Sequence, residues 1–118
     1  MKQLIKNKIS KYLLILTLAV MPNIHHAIAG EIKTESVEIS GNCGMCEKRI
    51  LGAVMVKGVK SAQWNAETQL LTIKFDSEKI SLDDIEKRIA KVGHDTPNHK
   101  ADESTYEKLH GCCQYPRK

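Results

Sequence analysis

Hydrophobic and polar residues alternate along three short stretches of the chain, and this alternation is typical of strands with one buried face. The first predicted strand covers residues 32–40. The second covers residues 59–65 and the third residues 71–75, with turn residues at 66–69 between them. A connection this short predicts that the second and third strands form a hairpin.

Two other stretches place hydrophobic residues three and four positions apart, which predicts amphipathic helices. The first helix starts near Cys46 and ends at Gly58, and the second follows Ser81 and ends at Gly93. Ser81 is the expected N-cap, and Asp84 lies three residues later, as in a capping box. The hydrophobic stripes consist of Ile50, Leu51, Val54 and Met55 in the first helix and Leu82, Ile85, Ile89 and Val92 in the second.

The elements therefore occur in the order strand, helix, strand, strand, helix. A weak edge strand is predicted for residues 94–100, where Pro97 limits its length. This order predicts an α+β fold of the ferredoxin-like βαββαβ type, with two helices on one face of a four-stranded antiparallel sheet. We assign residues 30–100 to this domain and residues 101–118 to a short C-terminal extension, in which residues 102–110 form a third helix.

Residues 1–29 have the features of a cleavable export signal. Lysines between Lys2 and Lys11 precede an apolar run of about ten residues, and Ala27-Ile28-Ala29 matches the small-residue cleavage pattern before Gly30. The apolar run is short compared with the roughly 20 residues that a membrane-spanning helix needs. We therefore expect an exported protein, periplasmic in a Gram-negative cell, without stable membrane insertion after cleavage.

The net charge of +4 comes from the predicted signal. Four of the 18 basic residues lie within residues 1–29, which hold no acidic residue, so the remaining 14 basic residues balance the 14 acidic ones. A neutral body argues against nucleic-acid binding, which requires a basic face.

Four cysteines form two close pairs, Cys43-x-x-Cys46 and the adjacent Cys112 and Cys113. In an oxidising compartment they could form structural disulfides. The spacing favours metal ligands instead, because a disulfide between neighbouring residues closes a strained ring and joins no distant parts of the chain. A disulfide between one cysteine of each pair would leave two thiols unused.

The first pair lies where the first predicted strand ends and the first helix begins. A helix N-terminus presents free N–H groups and a partial positive charge, and both favour thiolate over thiol. Thiolates select soft ions, and a pair of them suits a linear d¹⁰ ion such as Cu(I) or Hg(II). Zn(II) is a further candidate, although a closed structural zinc site takes four ligands.

The stretch SGNCGMCEKRI, residues 40–50, resembles the metal-binding loop of heavy-metal-associated domains, which occur in copper chaperones, metal-pumping ATPases and a mercury-binding protein. Residues 58–62 resemble the start of that family's second strand, and residues 92–96 its last loop between helix and strand. The resemblance extends over residues 32–96. It implies a βαββαβ fold, transfer of a soft metal ion between partner proteins, and metal ligation by the two cysteines of the loop.

Three positions depart from the family's usual residues. Gly41 stands where the family usually has Met, Asn42 replaces Thr, and His94 replaces the Tyr or Lys of the last loop. Because that loop packs near the metal in the family, His94 is either a third ligand, a supporting group or a half-exposed loop residue. Cys112 and Cys113 lie beyond the resemblance. They either fold back to complete a site of three or four thiolates, or pass metal on, or belong to an unstructured tail whose thiols oxidise.

Together these patterns predict a binding protein without enzymatic activity. It captures a soft metal ion in the cell envelope and delivers it to, or withholds it from, a membrane metal transporter or metal-pumping ATPase. The predicted metal ligands are Cys43, Cys46, Cys112, Cys113 and His94. The alternative is a thiol–disulfide oxidoreductase that uses the same CxxC, although the order of elements differs from a thioredoxin layout. A structural zinc module is a third hypothesis.

Overall fold

A computed structural model describes residues 30–118, in which a three-stranded antiparallel sheet packs against helices. The strands are β1 (Ile32–Glu38), β2 (Val59–Trp64) and β3 (Leu70–Asp76), and they lie in the order β1-β3-β2. The main helices are α1 (Gly44–Val54) and α2 (Leu82–Lys91). A short helix α3 (Glu103–Glu107) and a 3-10 turn (Gly111–Cys113) follow. The predicted export signal lies outside the described residues.

Strand β3 is the centre of the sheet, and its alternating sequence places Leu71, Ile73 and Phe75 in the core. Val37 on β1 pairs with Leu71 from one side, and Trp64 on β2 pairs with Leu71 from the other. The predicted hairpin of β2 and β3 is confirmed by their antiparallel pairing. Polar residues between these positions face outward, so the core lies on one side of the sheet.

Helix α1 buries one stripe, formed by Cys46, Ile50 and Val54. The stripe was predicted to continue to Met55, but this side chain is exposed because the helix has already ended at Val54. A core-facing cysteine in the first turn means that the helix starts with one of its sulfurs already inside the protein. The packing of α1 therefore fixes the position of the CxxC.

Helix α2 begins with the predicted capping box. The Ser81 hydroxyl accepts the Asp84 backbone N–H at 3.1 Å, and the Asp84 carboxylate accepts the Ser81 N–H at 3.2 Å. Ile85 and Ile89 are fully buried, as the hydrophobic spacing predicted. The same helix also buries Glu86, although a glutamate is rarely fully buried unless it is paired.

The prediction of a fourth strand at residues 94–100 is wrong, because the described part of the chain forms a sheet of three strands and these residues are not among them. Among the described residues, one backbone hydrogen bond joins this segment to the chain just after β1, from the Ser40 N–H to the Asp95 carbonyl at 3.1 Å. The chain then turns, because the buried Glu86 carboxylate accepts hydrogen bonds from the Thr96 hydroxyl at 2.8 Å and from the Asn98 backbone N–H at 3.0 Å. These bonds draw the segment toward α2 and away from the edge of β1.

The C-terminal extension packs into the same hydrophobic core as the rest of the domain. Leu109, Cys113 and Tyr115 are all buried there. Tyr106 packs edge-on against Tyr115, with 5.1 Å between the ring centres. The 3-10 turn contacts α1, so residues far apart in sequence meet beside the CxxC.

None of the helices between residues 30 and 118 combines the length and the apolar character that a bilayer-spanning helix requires.

We expect Ser81→Ala to lower the free energy of unfolding by about 1 kcal/mol, because the substitution leaves an N-terminal amide of α2 without its acceptor. Chemical denaturation monitored by circular dichroism measures this change. Ser61→Ala on the exposed face of β2 is the matched control and should change the free energy by less than about 0.5 kcal/mol. Equal effects of the two substitutions would show that the capping box does not stabilise α2.

Candidate metal centre

The CxxC loop connects the end of β1 to the start of α1. Cys43 is the N-cap of α1, with extended backbone angles, φ −145° and ψ 177°, and its side chain makes no capping hydrogen bond. Its sulfur is therefore available to other partners at the positive end of the helix. Gly41 lies where the loop passes Trp64, and a Cβ atom there would come within 2.9 Å of the indole ring. The Met that the family usually carries at this position does not fit here without a shift of Trp64.

The other three cysteines all lie close to the Cys43 sulfur. Its distance is 3.5 Å to the Cys46 sulfur, 3.1 Å to the Cys112 sulfur and 3.5 Å to the Cys113 sulfur. The sulfurs of Cys112 and Cys113 lie 4.0 Å apart. All four are free thiols. The fold therefore brings the tail pair to the CxxC, and Cys43, Cys112 and Cys113 form a group whose sulfurs lie within 4.8 Å of one another.

The cluster has a buried side and a solvent-facing side. Cys46 and Cys113 are fully buried, whereas Cys112 is exposed and Cys43 is intermediate. The Asn42 backbone N–H donates to the Cys46 sulfur at 3.3 Å. The solvent-facing side opens into a groove lined by Cys43, Gly44, Met45, Glu47, Lys48, Leu51 and Cys112.

Hydrogen bonding within the cluster lowers the pKa of Cys43 to about 6. The largest contribution comes from the side-chain hydrogen bond between Cys43 and Cys112. The next comes from the backbone N–H of Cys46, which faces the Cys43 sulfur without the geometry of a capping hydrogen bond. Desolvation opposes this shift. A thiolate is the form that binds metals and attacks disulfides, so Cys43 is in its reactive form at neutral pH.

The pKa values of the two tail cysteines, Cys112 and Cys113, shift in the opposite direction. Burial raises the pKa of Cys113, and hydrogen bonds to Cys46 and Cys43 add to the effect. Hydrogen bonding to Cys43 raises the pKa of Cys112. In the metal-free protein the raised pKa values keep Cys112 and Cys113 in the neutral thiol form beside Cys43, and a bound cation would supply the positive charge that these thiols need in order to ionise.

His94 lies beneath the CxxC loop and is fully buried. Its Nδ1 lies 2.7 Å from the Ser40 carbonyl, so Nδ1 carries the proton and donates it. Burial lowers the pKa of His94, and the ring stacks on Tyr115 with 5.6 Å between centres. The buried Nε2 has no hydrogen-bond partner among the described residues. Within that part of the chain, His94 is not a member of the cysteine group, and its role as a ligand stays a prediction.

Sequence reasoning missed three residues that build the site. Tyr115 and Arg117 fix the C-terminal segment, and Met45 places its sulfur 3.7 Å from the Cys112 sulfur. A signal for the first two was present, because a buried aromatic residue near a basic one is unusual in a polar tail. No periodicity surrounds them, however, so the spacing of residues could not indicate which part of the domain they contact.

The donor set fits a thiophilic ion. Sulfur is the soft donor among protein ligands and selects Cu(I), Zn(II) and related ions over hard cations such as Mg²⁺ or Ca²⁺. The sulfurs approach one another closely, and the lowered pKa of Cys43 provides a charged ligand to start binding. The site can therefore bind a soft metal ion, and its free thiols can also take part in disulfide exchange.

Comparison with known proteins agrees with this chemistry. The sequence profile of the heavy-metal-associated domain matches residues 36–95. The CopZ metallochaperone is 26% identical over 54% of this chain and 98% of its own, with a TM-score of 0.52. Oxidized MerP from Ralstonia metallidurans CH34 is 25% identical over 56% of this chain and 94% of its own, with a TM-score of 0.53.

A third similar structure shares the fold alone. It is the N-terminal domain of a potential copper-translocating P-type ATPase from Bacillus subtilis in the Cu(I)-loaded state, with 22% identity over 56% of this chain and 85% of its own and a TM-score of 0.53. No curated protein sequence matches this chain significantly. The matched profile ends at residue 95, before the C-terminal cysteines.

We expect Cys112→Ala to raise the pKa of Cys43 above about 6, because the substitution removes the thiol that contributes most to the lowered value. The pH dependence of Cys43 alkylation by iodoacetamide, mapped by mass spectrometry on reduced, metal-free protein, measures the shift. Cys113→Ala is the control and should raise the pKa less, since the hydrogen bond from Cys113 contributes less. An unchanged pKa in Cys112→Ala would contradict this account.

Proposed function

Since this chain belongs to the heavy-metal-associated domain family, we propose that it is an exported protein that binds Cu(I) or Hg(II) and passes the ion to, or withholds it from, a membrane metal transporter. The observation that carries the proposal is the position of Cys43 and Cys46 at the start of α1, with 3.5 Å between their sulfurs. Two sulfurs so close together can bind one soft ion at the same time.

The choice of Cu(I) and Hg(II) follows from ligand chemistry. Both are d¹⁰ ions with high affinity for thiolates and accept a small number of sulfur ligands. The similarity to the CopZ metallochaperone and to MerP supports the same class of ion. Zn(II) remains a candidate because thiolates also bind it, with a preference for four ligands.

Transfer requires that the ion can be reached by another protein. The groove beside Cys43 is open to solvent, and Lys48 lies on its rim next to Glu47. An incoming thiolate can bond the ion from this side while an existing sulfur–metal bond breaks, so that the ion moves through shared intermediates without redox change. A membrane metal transporter or metal-pumping ATPase with its own thiolates is the partner that this mechanism needs.

The proposed location rests on the sequence of residues 1–29. A basic start, an apolar run and a small-residue cleavage pattern favour export and release before Gly30. Export places the four thiols in an oxidising compartment, where either bound metal or a reducing partner keeps them available.

The alternative function is thiol–disulfide exchange at the same CxxC. The lowered pKa of Cys43 favours it, because a thiolate at a helix N-terminus is also the attacking group of oxidoreductases. Reduction of insulin disulfides by the protein separates the two functions. Catalysis of insulin reduction by the wild type, with loss of activity in Cys43→Ser, would support the oxidoreductase instead of the metal carrier.

We expect reduced protein to bind Cu(I) and Hg(II), and Cys43→Ser and Cys46→Ser to weaken binding by at least about 100-fold. Altering only a partner of a metal ligand already costs about 10- to 100-fold, and loss of the ligand costs more. Equilibrium dialysis with a competing chelator measures these affinities. Met55→Leu, which removes an exposed sulfur at the other end of α1, is the control and should bind as the wild type does. Failure of the reduced wild type to bind either ion would exclude the proposed function.

We expect the protein to begin at Gly30 after expression in a Gram-negative host, because Ala27 and Ala29 form the cleavage pattern. N-terminal sequencing of protein from the periplasmic fraction measures the cleavage position. Ala29→Arg should block processing and leave a longer chain. Recovery of an intact Met1 from wild-type protein would contradict export by a cleavable signal.

A further inference from the structure

The C-terminal segment is fixed to the domain at the loop that follows α2. The Tyr115 hydroxyl accepts the Asp95 backbone N–H at 2.8 Å and donates to the Gly93 carbonyl at 2.8 Å. Arg117 donates to both carboxylate oxygens of Asp95 at 2.9 and 2.7 Å, and also to Glu103 at 2.9 Å. These bonds hold the chain directly after the turn that carries Cys113, so the fold determines the position of the tail sulfurs.

The tail sulfurs have the spacing of metal ligands. With a metal–sulfur bond of about 2.3 Å, two sulfurs lie about 4.6 Å apart in a linear site, about 4.0 Å in a trigonal site and about 3.8 Å in a tetrahedral one. The separations of 3.5 Å from Cys43 to Cys46 and to Cys113 are closer to the trigonal and tetrahedral values than to the linear one, whereas the 3.1 Å from Cys43 to Cys112 is shorter than all of these values. Cys43 is therefore placed to share an ion with Cys46 and with Cys113 more readily than with Cys112.

The two tail cysteines differ in burial, since Cys113 is buried and Cys112 is exposed. Cys113 is 0% exposed, as is Cys46, so both reach Cys43 from inside the protein. Cys112 is exposed, lies 3.1 Å from the Cys43 sulfur and 3.7 Å from the Met45 sulfur, and lines the open groove. The adjacent residues thus present one sulfur to the interior and one to solvent.

We propose that Cys113 is a third resident ligand of the ion held by Cys43 and Cys46, and that Cys112 is the exchange ligand through which the ion enters and leaves. This inference rests on the proposed function, because it concerns the same ion. In transfer, Cys112 bonds the ion as the bond to Cys43 breaks, and an incoming thiolate then displaces Cys112. In the first step the Cys112 proton passes to the released Cys43 sulfur, and in the second the proton of the incoming thiol passes to the released Cys112 sulfur. The bonds to Cys46 and Cys113 break last, as further partner sulfurs bond the ion, and the ion keeps its oxidation state throughout.

A site of this kind retains its ion more strongly than a two-thiolate site does. A partner that offers two thiolates must displace three sulfurs, two of which solvent cannot reach. Ligand exchange through Cys112 provides a path that leaves the buried sulfurs bonded until a new bond has formed. The C-terminal segment therefore controls both how tightly the ion is held and how quickly it is passed on.

The test compares Cys113→Ser and Cys112→Ser in reduced protein loaded with Cu(I) or with Hg(II). X-ray absorption spectroscopy should find three sulfur neighbours in the wild type and in Cys112→Ser, and two in Cys113→Ser. Competition with a chelator should show about tenfold or greater weakening in Cys113→Ser and less than about threefold in Cys112→Ser. Stopped-flow transfer to a dithiol chelator should be at least about tenfold slower in Cys112→Ser.

Cys113 is buried, so Cys113→Ala is included as a second variant, in which the side chain at position 113 is apolar and cannot be a metal ligand. Circular dichroism checks the fold of each protein. Two sulfur neighbours in the wild type would overturn the inference whatever the variants do. Wild-type affinity and transfer rate in all tail variants would also overturn it, while the proposed function would stand. If the wild type binds neither ion, the proposed function and this inference fail together.

Discussion

The metal centre depends on a helix that begins at a cysteine without a side-chain cap. At most helix starts a Ser, Thr, Asp or Asn side chain turns back to the first amides. Cys43 occupies that position and leaves its sulfur free, so the positive end of α1 acts on a group that can ionise and bind metal. The buried stripe of α1 then fixes the start of the helix against the sheet, and with it the geometry of both sulfurs of the CxxC.

The second contribution to the centre comes from a part of the chain that the family profile does not cover. The match ends at residue 95, and the tail returns to that same place, where Tyr115 binds Gly93 and Arg117 binds Asp95. The loop after α2 therefore has two roles. It supports the CxxC through the bond from His94 to Ser40, and it anchors the segment that carries the second pair of cysteines.

Much of the fold could be predicted from the sequence, since hydrophobic spacing and turn residues are local signals. The three strands, the two main helices and the Ser81 capping box all follow from patterns within a dozen residues. The fourth strand could not be excluded in this way, because the turn that replaces it depends on the buried Glu86 carboxylate ten residues earlier. Likewise, the CxxC was identified from spacing, whereas the approach of Cys113 depends on Tyr115, a contact that no local pattern encodes.

The hydrogen bonds of Tyr115 to Gly93 and Asp95 also couple docking of the C-terminal segment to the binding of an ion by the cysteine sulfurs. By thermodynamic linkage, if docking of the tail strengthens ion binding by a certain free energy, a bound ion strengthens docking of the tail by the same amount. Under the proposed function, a partner that competes for the Tyr115 binding site would thereby weaken ion binding without contacting a sulfur. Conversely, a bound ion would hold the C-terminal segment in its docked position. The exposure of Tyr115 and Arg117 would then differ between the ion-bound and the ion-free protein, and a partner could recognise that difference.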